Sequence, residues 1–355
     1  MKAFQYSSRA QRIVFGTGTI QQIGKEIDAL GVSSVLVLST PDQRRLAEHV
    51  VHLLGARATG LFDRAVMHVP IETARAACAM AFELGADSVV AIGGGSTIGL
   101  AKAIALEMGL PVLAIPTTYA GSEMTAIYGL TDGGLKRTGT DVRVLPRTVI
   151  YDPVLTYSLP VAVSVTSGIN ALAHAAEGLY AHDRNPISDL MAREGIRALA
   201  AALPLLVTER DTAVLLEARA DALYGAWLCG AVLGSVGVAL HHKLCHTLGG
   251  SFNLPHAETH TIILPHALAY NAKAAPGAMA SIAGALGAAS AAQGAFDLAR
   301  TTGAPLGLHQ IGMREADLDK ACEIALQNQY PNPRPLEAGA IRELLQHAWE
   351  GRRPV

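Results

Sequence analysis

Within the first 160 residues, short apolar, β-branched runs alternate with stretches of helical period, and this alternation constrains the chain more than any other feature. The runs are SVLVLST (34–40), VMHVP (66–70), SVVAIGGGS (88–96) and LPVLAIPTT (110–118). Between them, TARAACAMAFELGA (73–86) and IGLAKAIALEMG (98–109) repeat apolar residues at helical spacing. Parallel strands need a crossover of about a dozen residues or more, usually a helix. The alternation therefore predicts a parallel, Rossmann-like α/β sheet. A further extended stretch, TVIYDP (148–153), and the prolines Pro153 and Pro160 put the end of this α/β domain at 1–160.

After that boundary apolar residues recur at helical spacing through 165–206, 212–250 and 277–302, which predicts an all-helical domain over 161–355. Loop breakers stand at Asp132, Gly133 and Gly134, and at Asn185 and Pro186. The uncharged segment ALYGAWLCGAVLGSVGVAL (222–240) is close to the length of a membrane helix. Its glycines, and the HHKLCH string it runs into, predict instead a helix buried on all sides inside the helical domain. The N-terminus meets Lys2, Arg9 and Arg12 before any apolar segment, so no secretory signal is expected. Lys and Arg number 28 against 30 Asp and Glu, with no basic run, which argues against a nucleic-acid partner. Cysteines 78, 229, 245 and 322 form no CxxC pair; reduced thiols and a cytoplasmic location are expected, with no membrane partner.

Gly93, Gly94, Gly95 and Ser96 close an apolar strand and open a helix. Glycines let a backbone approach a pyrophosphate, and a helix N-terminus attracts an anion; the bland alternative is a tight strand-to-helix turn. The spacing is not GxGxxG. A second strand end, LAIPTTYAGSEMT (113–125), brings Thr117, Thr118, Ser122 and Thr125 to the same edge of the sheet, where open α/β sheets bind ligands; ordinary helix capping also uses such hydroxyls. The expected nucleotide contacts are Ser39, Gly94, Gly95, Ser96, Thr117, Thr118, Ser122 and Thr125. After strand 34–40 come Ser39, Thr40, Pro41 and Asp42, with no acid at the strand tip to exclude a 2′-phosphate, so both NADH and NADPH are expected to be accepted.

Six of 13 histidines fall between 241 and 266. On a helix His242 and His246 share a face, as do Asn170 and His174 in SGINALAHAAEGLYA, and His256 follows after a Gly-containing turn. Three imidazoles and one oxygen side chain make a plausible metal site, yet Asn is a neutral and poor substitute for a carboxylate ligand; buried, hydrogen-bonded histidines lining a cleft are the alternative.

Together, GGGSTIGLAK, IPTTYAGSEMT, GINALAHAAEG and HHKLCHTLGGSFNLPH resemble the iron-containing alcohol dehydrogenase family over nearly the whole chain. The resemblance implies an N-terminal dinucleotide-binding α/β domain, a C-terminal helical domain and an active site in the cleft between them. Metal-dependent members carry Asp where this chain has Asn170 and ligate iron or zinc through it and the positions of His174, His242 and His256. Gly99 in place of the usual Asp, TTYAGSE in place of TTAGTGSE, and HHKLCH with its Lys243 are similar to the maleylacetate reductase branch. That implies NAD(P)H-dependent reduction of the double bond of maleylacetate to 3-oxoadipate in bacterial aromatic catabolism, with no required metal, and a homodimer.

Hydride addition to this dianionic, ketone-conjugated double bond leaves charge on the ketone oxygen, which needs positioned donors. His242 and His246 are expected to polarise that oxygen or donate the proton, and Lys243 or His241 to hold a carboxylate. His174 and His256 would line the pocket with Asn170, and Tyr119 would touch nicotinamide or substrate. Two competing readings are a metal-dependent alcohol or polyol dehydrogenase using the Asn170 carbonyl, and a nucleotide-binding protein without catalysis.

Overall fold

The computed structural model describes residues 4, 6, 11–133, 135–327 and 330–355, and of residues 135 and 136 only the backbone. Gly134 lies outside the described residues. The chain divides between Leu159 and Pro160 into two compact units.

The first unit contains β1 (Arg12–Phe15), α1 (Ile23–Leu30), β2 (Val35–Leu38), α2 (Arg44–Leu54), β3 (Ala58–Phe62), α3 (Ile71–Glu83), β4 (Ser88–Gly93), α4 (Gly95–Met108), β5 (Val112–Pro116), β6 (Ile127–Asp132), β7 (Leu135–Thr140) and β8 (Thr148–Tyr151). Six strands form one sheet in the order β1-β8-β5-β4-β2-β3, every pair parallel, and β6 pairs antiparallel with β7. The central strands VLVL, SVVAIG and VLAIP are buried along their whole length, as a sheet covered on both faces requires. From β2 the chain steps outward to β3 and then returns to β4 on the other side, so the carboxyl ends of β2 and β4 open a crevice at a topological switch point.

Two strand expectations change here, and one turn expectation holds. VMHVP is not a strand, because His68 and Val69 take positive φ values of 65° and 45°, which interrupt extended backbone. The third strand is instead Ala58–Phe62, obscured in the sequence by Gly60, whose missing side chain leaves room for Leu84 and Met80. Asp132 and Gly133, read as loop breakers, sit at the turn of the β6–β7 hairpin.

The second unit is helical throughout its described residues: α5 (Val161–Gly178), α6 (Pro186–Thr208), α7 (Thr212–Leu233), α8 (Leu240–Phe252), α9 (His256–Asn271), α10 (Pro276–Leu286), α11 (Ala291–Thr301), α12 (Leu318–Leu326) and α13 (Ala338–Glu350), joined by turns and short 3₁₀ segments. Asn185 starts α6 by accepting from the N–H groups of Ile187 and Ser188, while Ser188 Oγ accepts from Asn185 N–H, a reciprocal cap followed by Pro186 at the first helical position. The uncharged segment 222–240 is not one helix. It ends α7 at Leu233 and leaves Tyr224 and Trp227 partly exposed, so it is not buried on all sides either. No helix among the described residues is long and apolar enough to cross a membrane.

Candidate active site

The α/β unit brings its strand ends together around a glycine cradle. Gly94 is the N-cap of α4 and supplies no capping side chain, so the first N–H groups and the positive pole of this 14-residue helix are available to an anion. A Cβ on Gly93 would lie 2.4 Å from Thr97 Oγ1 and 2.8 Å from Gln43 Oε1, and one on Gly94 would lie 3.0 Å from Thr118 Cγ2. Only glycine fits the first of these positions, and Gly95 beyond them is exposed. This cradle, at the switch point of a parallel sheet, fits a nucleotide pyrophosphate.

The flanking residues divide by surroundings. Gln43, after β2, donates from Nε2 to Thr117 Oγ1, after β5, at 2.8 Å, tying the two strand ends together. Ser39 is fully buried, whereas Asp42 is exposed in the turn that follows it. Ser96, Thr118 and Ser122 are partly exposed. Thr125 is buried and occupied: Lys102, itself 1% exposed, donates to Thr125 Oγ1 at 2.9 Å and to the carbonyls of Ser122 and Ile127 at 2.7 and 2.8 Å. That network braces the loop after β5. Tyr119 is fully buried.

In the helical unit, α5 carries Asn170, His174 and Glu177 along one face, at i, i+4 and i+7. Helix α8 adds His241, His242, Lys243 and His246, and α9 adds His256 and His260. The turn before His256 is Asn253–Pro255, with Asn253 left-handed at φ 54°; the expected glycines, Gly249 and Gly250, lie inside α8. The rings of His174 and His242 stand 5.0 Å apart, those of His242 and His260 5.0 Å, His242 and His246 6.1 Å, and His256 and His260 4.4 Å. His246 and His256 are exposed, while His174, His241, His242 and His260 are buried.

Glu177, not singled out in the sequence, organises this cluster. Its fully buried carboxylate accepts from His242 Nδ1 at 2.7 Å, from the N–H groups of Ala239 and His241 at 2.7 and 2.9 Å, and from Tyr180 OH at 3.1 Å. It therefore caps the N-terminus of α8 and orients the imidazole three residues into that helix. Burial opposes ionisation, but the His242 hydrogen bond, the nearby His242 and His241 charge and the Ala239 N–H outweigh it and bring this carboxyl down to about 2. On its other side, His242 Nε2 lies 2.8 Å from His174 Nδ1.

His241, expected to hold a carboxylate, is fully buried with Nε2 2.9 Å from His260 Nδ1; burial, then His242, pushes its imidazole down to about 3. Burial, then His256, also holds His260 well below the usual histidine range. Lys243 turns away from His242 and sets Nζ 5.8 Å from the ring centre of Tyr330. Glu177 had a signal in the sequence, an acid three residues after His174 in an otherwise apolar helix; His260 stood within the six-histidine run but carried no distinguishing spacing.

The residues do not fit the metal centre of the metal-dependent relatives. One ring nitrogen of each of His174 and His242 is taken up by the other, Nδ1 to Nε2 at 2.8 Å, and the fourth position holds a neutral amide, Asn170, whose buried Oδ1 has no hydrogen-bond partner among the described residues. His241, Cys245 and His260 bring ligand atoms within 4.8 Å of one another. Burial pushes the Cys245 thiol well up, away from the thiolate a metal takes, and the two imidazoles are already joined.

Comparison with known proteins agrees with this architecture. Residues 10–153 match the description "Iron-containing alcohol dehydrogenase" and residues 164–349 the C-terminal part of the Fe-containing alcohol dehydrogenase family. The chain is 62% identical over 355 residues, all of both chains, to the maleylacetate reductase of Burkholderia cepacia, and 59% identical to that of Pseudomonas sp. strain P51, covering 99% of each. The crystal structure of maleylacetate reductase from Agrobacterium tumefaciens superposes with a TM-score of 0.96 at 52% identity, over 100% of both chains. The protein belongs to the iron-containing alcohol dehydrogenase family, in its maleylacetate reductase branch.

Proposed function

We propose that the protein reduces the carbon–carbon double bond of maleylacetate to give 3-oxoadipate, with NADH or NADPH as reductant and without a metal. Identity of 51–62% with maleylacetate reductases, over 99–100% of this chain, carries the reaction. The mutual hydrogen bond of His174 and His242 supports metal independence.

NAD(P)H, when bound, supplies the hydride, which adds to the carbon β to the ketone. The chain's own task is to bind two carboxylates, stabilise the enolate oxygen and deliver one proton to the carbon α to the ketone. His246 and His256, the exposed imidazoles, are the ones a dissolved dianion reaches, and Lys243 adds a cation one residue from His242. The buried pair His174 and His242 is the proton source, with Asn170 beside them on α5. Gly94, Gly95 and Ser96 hold the pyrophosphate, and Thr117, Thr118 and Ser122 flank it. With no acid between Ser39 and Pro41, a 2′-phosphate is tolerated. The same reading includes a cytoplasmic location and a homodimer.

The deciding experiment is NAD(P)H oxidation by the purified protein with maleylacetate, before and after exhaustive EDTA treatment, beside the same assay with simple alcohols and aldehydes. Turnover of maleylacetate that survives chelation is expected. Loss on chelation, restored by iron or zinc, overturns metal independence, and turnover of alcohols alone overturns the substrate.

A further inference from the structure

No acid follows β2 at its tip, yet the neighbouring strand supplies one. Ser39 N–H donates to Phe62 O at 3.0 Å and Ala65 N–H donates to Ser39 O at 3.0 Å, so the chain past β3 runs alongside the tip of β2. The backbone of Asp63, the first residue after β3, therefore stands about one strand spacing, ~4.8 Å, from that tip. Its carboxylate accepts from Arg44 Nη1 at 2.6 Å, and Arg44 is the first residue of α2, the helix that follows β2. We propose that this pair reads the 2′ position of the adenosine ribose: Arg44 binds the 2′-phosphate of NADPH, and Asp63 accepts from the 2′-OH of NADH. This rests on the NAD(P)H-dependent reading above.

The sheet puts the pair in the right place. The glycine cradle follows β4, and β2 is the next strand across the switch point. A dinucleotide spans that crevice, so a ribose on the β2 side of the pyrophosphate lies over the tip of β2. In sheets of this kind an acid near that tip holds the 2′-OH, and an arginine there accommodates the 2′-phosphate. Asp63 and Arg44 flank the tip on the side away from the cradle, because β3 lies beyond β2. Both are reachable, with the Arg44 side chain 59% exposed and that of Asp63 25%. The other arginines nearby are placed differently. Arg64 lies over the Phe62 ring, 4.6 Å from its centre, and Arg45 is turned about 100° around α2 from Arg44.

A guanidinium carries five N–H donors in a planar fork that matches phosphate oxygens. Arg44 gives Nη1 to Asp63 and Nε to Glu48, the second at 2.9 Å, so two carboxylates hold it in position and its remaining donors can meet a phosphate. One guanidinium between two carboxylates leaves an excess of negative charge, which suits a neutral hydroxyl better than a second anion. A 2′-phosphate is admitted by drawing Arg44 from Asp63. The pair thus lets both nucleotides bind and ranks NADH first.

Titration of the whole protein with NADH and with NADPH, read by nucleotide fluorescence and without substrate, tests this. Wild type should bind both, NADH more tightly. Arg44→Ala should weaken NADPH about tenfold, the scale of one hydrogen bond to a charged group, and leave NADH within about twofold. Arg44→Lys should recover part of the loss. Asp63→Asn should tighten NADPH and weaken NADH, each about threefold, the scale of an exposed ion pair. Arg45→Ala removes the same charge one residue along and should leave the ratio of the two affinities as in wild type. An unchanged ratio in Arg44→Ala, or an equal change in Arg45→Ala, overturns the proposal, as does a wild type that binds NADH but not NADPH. Unchanged affinities in Asp63→Asn overturn the part given to Asp63. A wild type that binds neither nucleotide overturns the proposal together with the nucleotide reading, whereas one that binds both and leaves maleylacetate unreduced overturns the substrate alone.

Discussion

His174 Nδ1 and His242 Nε2 meet at 2.8 Å although the two residues are 68 positions apart in the chain. Two imidazoles joined in this way hold one proton between them and present no shared vacant face to an ion. The anchored carboxylate of Glu177 decides which nitrogen of His242 enters that bond, since its own contact claims the other.

Lys243 is expected to act on substrate binding more than on turnover. Its Nζ rests 5.8 Å from the Tyr330 ring, a contact weak enough to leave for a carboxylate. Lys243→Ala should raise the KM for maleylacetate about fivefold, near 1 kcal/mol, with a smaller fall in kcat. If steady-state kinetics show KM unchanged, the lysine serves its contact with Tyr330 and nothing more.

The family resemblance puts Gly99 where metal-dependent members usually have Asp, and in this chain the space for a side chain there is filled. A Cβ there would lie 2.8 Å from Val69 Cγ2, and Val69 already has a left-handed φ of 45°, costly for a β-branched residue. Gly99→Asp should cost about 1–3 kcal/mol, as overpacking does, and lower the melting temperature by several degrees. A melting curve identical to wild type would show that residues 66–69 yield without cost.

Stability should fall as pH drops from about 6.5, and His266 is one cause. Burial, then the nearby His347, pushes its imidazole down to about 4, so between these values the unfolded chain takes up a proton that the native state refuses. Stability from this group is complete above the unfolded value and is lost as pH falls toward about 4, with a slope of up to about 1.4 kcal/mol per pH unit. His241 acts with the same sign toward about 3. His266→Met should flatten the dependence of the urea midpoint on pH between about 6.5 and 4. An unchanged slope would show that His266 becomes protonated within the fold.

The α/β unit was legible where local pattern and tertiary role agree. SVLVLST, SVVAIGGGS and LPVLAIPTT are strands because continuous β-branched runs suit strands covered on both faces, and the glycine run does sit at a strand-to-helix junction. ATGLF escaped because a strand at the sheet edge tolerates a glycine that breaks the pattern, and VMHVP misled because its composition is strand-like while its backbone turns left-handed. Break points of the helical unit were visible at Asn185–Pro186, where a side chain caps its own helix, but not at Leu233, where apolar sequence runs on past the helix end.

The sequence by itself determined the alternation of strand and helix in the first unit, the glycine-rich strand-to-helix junction and the pairing of Asn170 with His174 and of His242 with His246 on helix faces, because all of these follow from spacing within one segment. Only the tertiary structure decided that Glu177 backs His242, that His242 faces His174, and that His241 is sealed against His260, because each of these joins atoms from different helices. Helical periodicity says which residues share a face; which nitrogen of an imidazole meets which partner depends on how two helices pack, and no spacing along the chain encodes that distance.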